Sequence, residues 1–478
     1  MKKDMKKYLK LLEMRQQKDF KNIFEFFIFI IRIKLLVKLS YSKGTIILEG
    51  DVTTPYAKWD PRIKAYRALG YLYKEIIDYL KENKINFEDN VMNSPPIEPI
   101  NGTIKLRPYQ EEAFNKWMEN DKRGIICIAT AGGKTFIGLK AIEVLKKSTI
   151  ILVPTLALLD QWIERIKEFF DIEPGVIGGG KYDIKWITVS TYDSAYIHVE
   201  DIGNKFYLLI ADEVHHIFAP AYSQAAEMFV APFRMGLTST LHRADMRHLD
   251  APRLMGGVVY EAMHNDLIGE YLAPYEYKKV YVDLTPEERS EYEKLWNIYK
   301  NYLLENKLEI RNNEDFKKLI MLSARDPKAR EALLARNKAI KIALNSEEKM
   351  KFLANILDKN EKTLIFTLHN SLVYKISKRF LIPAITHKTS ENERKLILSK
   401  FKSGEYKAIV TSQVLDEGID VPDASRAIVL SGTGSPRQHI QRLGRILRPA
   451  KGKIAILYEV VSRETKDVEF SRRRSKLI

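Results

Sequence analysis

The chain has 478 residues, 45% of them hydrophobic, which suits several buried cores and roughly three domains. Its 78 Lys and Arg against 62 Asp and Glu leave a net charge of +16, which favours a polyanionic partner, nucleic acid first. The single cysteine, Cys127, excludes a disulfide scaffold, a four-cysteine zinc site and a protein-held iron–sulfur cluster, and points to a reducing, cytoplasmic setting.

The N-terminus is basic to Lys21 and then apolar from Ile23 to Val37, but Glu25, Arg32 and Lys34 interrupt that stretch. Its longest unbroken run, Phe26 to Ile31, is far short of the ~20 residues of a spanning helix. No small-residue cleavage site follows, so neither a membrane span nor a signal peptide is expected. Residues 1–36 read as an accessory helix or an extension outside the fold. Lys38 to Leu48 predicts two short strands around a turn at Gly44. Asp60-Pro61 predicts the start of a helix running through Tyr66, Leu69, Tyr73 and Ile76 to Leu80. Asn93-Ser94-Pro95-Pro96 with Pro99 marks a linker, so a small α+β domain is expected over 37–100.

From Arg107 to Tyr260, short apolar runs (124–128, 149–153, 186–189, 207–210, 234–237) alternate with helical stretches such as Phe136 to Lys146. That rhythm predicts a parallel α/β sheet. It returns at 364–367, 408–411, 427–430 and 453–458, predicting a second α/β domain. Between them, a charged block opened by Thr285-Pro286-Glu287-Glu288 has the form of a capping box with proline at the first helical position. The expected domains are 101–282, a helical insertion over 283–356, and 357–478. The C-terminal run Arg472-Arg473-Arg474-Ser475-Lys476 reads equally as a phosphate contact or a solvated tail, and Tyr192 and Phe366 read as core aromatics.

The first predicted strand of the α/β region runs into Ala129-Thr130-Ala131-Gly132-Gly133-Lys134-Thr135 and then a helix. Backbone amides and a helix N-terminus thereby converge where a triphosphate would sit, with Lys134 reaching the β- and γ-phosphates and the Thr135 hydroxyl directed at Mg²⁺. Ile128 and Ala131 stand where the stricter forms of this motif have glycine. About 80 residues on, the apolar strand 208–211 ends in Asp212-Glu213-Val214-His215. Such a pair suits phosphoryl transfer: Asp212 for Mg²⁺ through water, and Glu213 to orient and deprotonate the attacking water.

These residues resemble a superfamily 2 DNA helicase, over Arg107 to about Pro449. Arg107-Pro108-Tyr109-Gln110 is similar to the adenine-reading segment, Val153-Pro154-Thr155 and Thr188 to Thr191 to strand-contact motifs, and Thr238-Ser239-Thr240 to the coupling motif. Thr411 to Pro422 and Gln441 to Arg448 resemble the family's fifth and sixth motifs. The resemblance implies two RecA-like domains and ATP with Mg²⁺ as cofactors. It gives catalytic roles to Lys134, Glu213, Gln441, Arg445 and Arg448, the two arginines as arginine fingers on the γ-phosphate. Nucleotide contacts fall to Arg107, Gln110, Gly132, Gly133, Lys134, Thr135 and Asp420, and metal holding to Thr135 and Asp212. Coupling falls to His215, Thr238 and Thr240. DNA contact or strand separation falls to Pro154, Thr155, Thr191, Arg243, Asp245 and Thr411.

Within that superfamily Asp-Glu-Val-His is similar to the XPB branch, and the size of the chain resembles the archaeal members. Residues 37–95 resemble that branch's damage-recognition domain and the helical insertion its DNA-facing thumb. The implied function is an ATP-dependent helicase or translocase on duplex, forked or damaged DNA in nucleotide excision repair, a monomer with a nuclease partner and no membrane attachment. Where the branch carries Arg-Glu-Asp, this chain has Arg243-Ala244-Asp245, so ATPase and translocation are expected ahead of processive unwinding. The alternatives are a motor subunit of a restriction-like or RNA-directed machine, and a DNA-binding scaffold switched by nucleotide.

Overall fold

A first hairpin pairs strands β1 (Val37–Ser42) and β2 (Thr45–Glu49) in a computed structural model that describes residues 36–50, 52–241, 245–358, 360–412, 424–432, 444, 446 and 453–474. Lys43 and Gly44 both take positive φ between the strands, which matches the right-handed twist a two-residue hairpin needs. Strands β3 (Lys58–Asp60) and β4 (Ala65–Leu69), helix α1 (Tyr73–Glu82) and strand β5 (Phe87–Asn90) complete a sheet of order β3-β4-β2-β1-β5. The helix expected from Asp60 begins only at Tyr73. Tyr66 and Leu69 have helical spacing, but Ala65–Leu69 lies along the open edge of β2, with Tyr66 opposite Leu48 and Leu69 opposite Thr45. Backbone pairing there satisfies groups that a helix would satisfy equally, and Asp60 fixes the turn by accepting bonds from the Arg62 backbone N–H (3.1 Å) and guanidinium (2.9 and 2.8 Å).

This sheet shares its core with the α/β body that follows. Val230 packs among Val37, Leu39, Ile46 and Leu80, Tyr41 Oη donates to Val199 O at 3.1 Å, and Arg123 pairs with Glu75 at 2.6 Å.

In the α/β body, helix α2 (Pro108–Glu119) leads into β6 (Arg123–Ile128), followed by α3 (Lys134–Leu145), β7 (Thr149–Val153), α4 (Leu156–Phe170), β8 (Gly175–Gly178), β9 (Lys181–Tyr182), β10 (Ile187–Thr191) and α5 (Tyr192–Ile202). Strand β11 (Leu208–Asp212), helix α6 (Pro220–Met228), strand β12 (Phe233–Thr238), helix α7 (Ala251–Met255) and strand β13 (Val258–Ala262) finish it. The sheet order is β13-β6-β12-β11-β7-β10-β8-β9. Strands β6, β12, β11, β7, β10 and β8 run parallel. Every residue of β6, β7, β10 and β11 is buried, the signature of strands covered on both faces. Arg234 of β12 is fully buried, and its guanidinium donates to the carbonyls of Ala226, Phe229, Ala231 and Leu254 at 2.7–3.1 Å. Burial pushes it down to about 9, so it stays charged at neutral pH and staples the ends of α6 and α7 to the sheet.

The chain divides into two compact units, the first running to Cys127 and over Thr135–Glu261, the second taking Ile128–Lys134 and the chain from Ala262 onward. The second holds β14 (Tyr275–Val282), helices α8 (Pro286–Glu305), α9 (Asn313–Ser323), α10 (Pro327–Leu344) and α11 (Glu347–Ile356), then β15 (Thr363–Phe366), α12 (Asn370–Phe380), β16 (Ala384–Ile385), α13 (Glu391–Ser403), β17 (Ala408–Thr411), β18 (Arg426–Val429), β19 (Ala455–Ser462) and α14 (Lys466–Arg474). Its sheet, of order β14-β19-β18-β15-β17-β16, is parallel throughout. Thr285 Oγ1 accepts from Glu288 N at 3.3 Å while Glu288 Oε2 accepts from Thr285 N at 3.1 Å, the reciprocal capping that starts α8. Along α10 the small Ala329 and Ala332 lie against Tyr299 and Tyr302 of α8, and Ala339 and Ala343 against Tyr292. Small residues facing large rings let the two helices pack closely.

The C-terminal arginine run is neither tail nor phosphate contact throughout. Arg474 ends helix α14, is 2% exposed, and donates to Glu459 Oε1 at 2.7 Å and to Gly432 O at 2.8 Å. Beside it Lys349 donates to Asp467 Oδ2 and Leu430 O, both at 2.6 Å, and the Tyr277 hydroxyl donates to Glu459. These groups form a buried ionic network joining β14, β19, α11 and α14 to the residues just beyond β18.

Candidate functional site

Because the central strands are parallel, the loop after β6, the carboxylates after β11 and the coupling residues after β12 all lie at the C-terminal edge of one sheet, with β12 between β6 and β11. That edge is where open α/β sheets place their ligands.

The phosphate loop is shaped by its backbone. Ala131 takes φ +67 and Gly133 φ +73, and Gly132 N donates to Ala129 O at 3.0 Å. A Cβ on Gly132 would meet Ile128 Cγ2 at 2.4 Å and Ala129 O at 2.9 Å, so only glycine fits. Lys134 is the first residue of α3, and its Nζ donates to Ile128 O at 3.1 Å. The loop therefore presents a helix N-terminus, an ammonium and a cradle without side chains, and among the described residues the buried Thr130 Oγ1 has no partner. These features fit a nucleotide triphosphate. Ala131 in the left-handed region carries a cost of roughly 1–2 kcal/mol, partly offset by its smaller unfolded-state entropy. Ala131→Gly is expected to raise unfolding stability by about 1 kcal/mol, read from the urea midpoint; an unchanged or lower midpoint would show that the loop is relaxed as it stands.

Asp212 ends β11 and is 7% exposed. Its Oδ1 accepts from Glu213 N and its Oδ2 from Trp162 Nε1, each at 2.9 Å, while its backbone carbonyl accepts from Tyr192 Oη, also at 2.9 Å. Glu213 follows with φ +48, a left-handed turn that breaks the strand and separates the two carboxylates. One carboxylate and the Thr135 hydroxyl form an all-oxygen donor set suited to a hard dication such as Mg²⁺ that keeps several waters. Among the described residues no group of three or more His, Cys, Asp or Glu side chains that could hold a metal ion exists.

Glu213 is in contact with the coupling candidates Thr238 and His215. Thr238 Oγ1 lies 3.3 Å from Glu213 Oε2, 2.9 Å from Thr240 O and 3.3 Å from His215 Nδ1. His215 is 1% exposed, its Nδ1 3.4 Å from Glu213 Oε2. A threonine hydroxyl has one hydrogen, so Thr238 donates to one of Glu213, the Thr240 carbonyl or, in the tautomer with a bare Nδ1, His215. That choice links the carboxylate to the chain leaving β12.

The strand-contact candidates sit two and three strands away from β12. Thr155 caps α4, its Oγ1 accepting from Leu158 N at 3.3 Å, and Thr191 caps α5, accepting from Ser194 N at 3.2 Å; Pro154 is half-buried beside Thr155. Sequence reasoning missed Gly178-Gly179-Gly180, with φ of +151, +59 and +81. A Cβ on Gly178 would lie 3.2 Å from Thr191 Cγ2 and one on Gly179 3.3 Å from Leu156 Cδ2, so this bare-backbone turn borders both threonine segments. Three consecutive glycines before Lys181 were the available signal. Trp162, which donates to Asp212 Oδ2, was also missed, lying seven residues past Thr155.

Gln110 is buried at the start of α2, its Oε1 accepting from Arg107 N at 2.9 Å. Asp245 is exposed, its Oδ1 accepting from Arg247 N at 3.2 Å. Thr411, fully buried, ends β17 in the second sheet, with Oγ1 donating to Ser412 O at 3.2 Å. Arg243, Ala244, Asp420, Gln441, Arg445 and Arg448 lie outside the described residues, as does the extension 1–35. No helix among the described residues is long and apolar enough to cross a membrane.

Three family models match the chain: the Xeroderma pigmentosum group B helicase damage recognition domain over residues 39–91, the type III restriction enzyme res subunit over 103–243, and the ERCC3/RAD25/XPB C-terminal helicase over 331–478. The DNA 3'-5' translocase XPB2 of Sulfurisphaera tokodaii is 47% identical over 441 residues, covering 92% of this chain and 100% of that protein. The DNA 3'-5' helicase XPB of Mycobacterium tuberculosis is 29% identical over 78% of this chain and 64% of that one. Among solved structures, the Hef helicase domain of Pyrococcus furiosus superposes with a TM-score of 0.51 at 20% identity, over 77% of this chain and 97% of that chain, a likeness of fold.

Proposed function

The chain belongs to the XPB family of superfamily 2 DNA helicases, and from that premise we propose that it is an ATP-driven motor that translocates on duplex DNA and opens it during nucleotide excision repair. The observation that carries this reading is the placement of a phosphate loop and an Asp-Glu pair on one sheet edge, with Thr238 on the strand between them. The chain is a DNA-dependent ATPase; the residue roles below are part of the proposal.

The Gly132–Thr135 amides and the Lys134 ammonium hold the β- and γ-phosphates, with Gln110 and Arg107 at the base. A magnesium ion, held by Thr135 and by Asp212 through water, would neutralise charge on the transferring phosphoryl group. Glu213 orients the attacking water and takes its proton, and Thr238 passes the state of Glu213 toward Thr240. Arg445 and Arg448, with Gln441 and Asp420, would supply the guanidinium and polar contacts from the second domain. The segments that carry Pro154, Thr155, Thr191 and Thr411, with the Gly178–Gly180 turn, meet the DNA backbone, so binding reads shape ahead of sequence. A monomeric, cytoplasmic protein working with a nuclease partner completes the proposal.

Translocation is tested by displacement of a third strand from a triple-helical DNA. ATP-dependent displacement is expected, and its absence despite active hydrolysis would contradict the motor reading. Because Ala244 replaces the central carboxylate of Arg-Glu-Asp, opening of a long fork by the chain alone is expected to be weak, and Arg243 and Asp245 remain as the candidate strand-separation pair. If Lys and Arg side chains neutralise four phosphates, DNA binding should weaken about a hundredfold between roughly 50 and 200 mM salt; a flat titration would remove ionic backbone contacts from the account.

A further inference from the structure

Two aromatic side chains connect the candidate strand-contact segments to Asp212, and nothing in the family reading assigns them a part. Trp162 lies two turns into α4, the helix that Thr155 caps, and is 1% exposed. Its indole Nε1 donates to Asp212 Oδ2 at 2.9 Å. Tyr192 is the first residue of α5, the helix that Thr191 caps, and is 3% exposed. Its hydroxyl donates to the Asp212 backbone carbonyl at 2.9 Å. The two segments therefore reach the same residue by separate routes, one at the carboxylate and one at the main chain.

There is little slack in either route. Asp212 Oδ1 is already engaged by Glu213 N at 2.9 Å, so the carboxylate plane is set by the Trp162 bond at its other oxygen. Trp162 is also wedged against the helix that follows the phosphate loop, since a Cβ on Gly138 of α3 would come within 2.7 Å of its Cη2. The Tyr192 ring lies 5.8 Å from that of His216 and 5.4 Å from that of Tyr222. Close-packed rings pass on a small displacement of their helix where a loosely packed side chain would absorb it.

We infer that Trp162 and Tyr192 are positioning residues through which DNA on the Thr155 and Thr191 segments sets the geometry of Asp212, and so carry the DNA dependence of ATP hydrolysis. The inference rests on the motor reading above. The plain alternative is that two core aromatics have merely satisfied their polar tips. The two differ in coupling: a coupling residue changes how one ligand affects the other, whereas a packing residue lowers stability or activity without regard to DNA.

The test uses the full chain with Trp162→Phe, Tyr192→Phe and the double variant. Tyr192→Phe removes only a hydroxyl and is expected to fold, so it decides the question even where Trp162→Phe leaves a cavity. Two quantities are measured: the ratio of ATPase rates with and without duplex DNA, and the ratio of DNA dissociation constants with and without a non-hydrolysable ATP analogue. The second is a binding readout of the coupling between nucleotide and DNA, equal by reciprocity to the effect of DNA on nucleotide affinity. Each single variant is expected to reduce both ratios at least about threefold, and the double variant further, with nucleotide-free DNA affinity within about twofold of the wild type. Unchanged ratios in Tyr192→Phe, or equal falls in the two ATPase rates with an unaltered nucleotide effect on DNA affinity, would overturn the inference. A wild type showing no DNA stimulation would overturn the motor reading and the inference together, whereas a stimulated wild type with equally stimulated variants would overturn the inference alone.

Discussion

Glu213→Gln should lower ATP hydrolysis about a thousandfold while leaving nucleotide binding in place. The substitution keeps a carbonyl oxygen to accept from Thr238, 3.3 Å from Glu213 Oε2 in the wild type, and keeps the left-handed turn at φ +48. What it removes is the group proposed to take a proton from water, a loss of about 10²–10⁴ in rate for a general base. A thousandfold is about 4 kcal/mol of transition-state stabilisation. Lys134→Ala is different in kind, because it deletes the ammonium proposed to meet the phosphates and should weaken nucleotide binding as well as turnover. Steady-state ATPase together with titration of a fluorescent ATP analogue separates the two. A Glu213→Gln rate within tenfold of the wild type would place the proton acceptor elsewhere.

Arg474→Met should destabilise the second unit by about 3–5 kcal/mol, the cost of breaking a buried ion pair by removing one partner. The guanidinium is 2% exposed, and the acids it serves, Glu459 and Asp467, are both 0% exposed. Its loss takes a buried guanidinium from Glu459, whose other neighbours include the Tyr277 hydroxyl and the more distant Lys279, 3.9 Å away. Adding Glu459→Gln to Arg474→Met should recover part of the loss, since a neutral amide is cheaper to bury than a charge. Urea denaturation of both variants measures this. A single variant within about 1 kcal/mol of the wild type would mean that water reaches the network.

Both predictions rest on features that differ in how visible they were in the sequence. Gly132–Thr135 and Asp212-Glu213 are local: each is a short run in which a strand ends and the chemistry begins. Their meeting on one sheet edge follows from the parallel rhythm of apolar runs that the sequence displays. Arg474 illustrates the opposite case. A basic run near a chain end has nothing local to show that one of its arginines finds Glu459, 15 residues away, or that Lys349 finds Asp467 across 118 residues. The turn at Asp60 was misread for a related reason, because Tyr66, Leu69 and Tyr73 fit a helical stripe and only the open edge of β2 decides for a strand. Tyr192 reads as core in the sequence and is core, as is Trp162; what the sequence does not carry is where their polar tips end.

The central claim is that the loop after β6 and the carboxylates after β11 form the ATP site of a motor driven on DNA. The most direct measurement is ATP hydrolysis without nucleic acid and with single-stranded DNA, duplex DNA, a fork and RNA, using Lys134→Ala as the blank. Strong stimulation by DNA that disappears in Lys134→Ala is the predicted result. Hydrolysis indifferent to every polymer, or stimulated by RNA in preference to DNA, would contradict it.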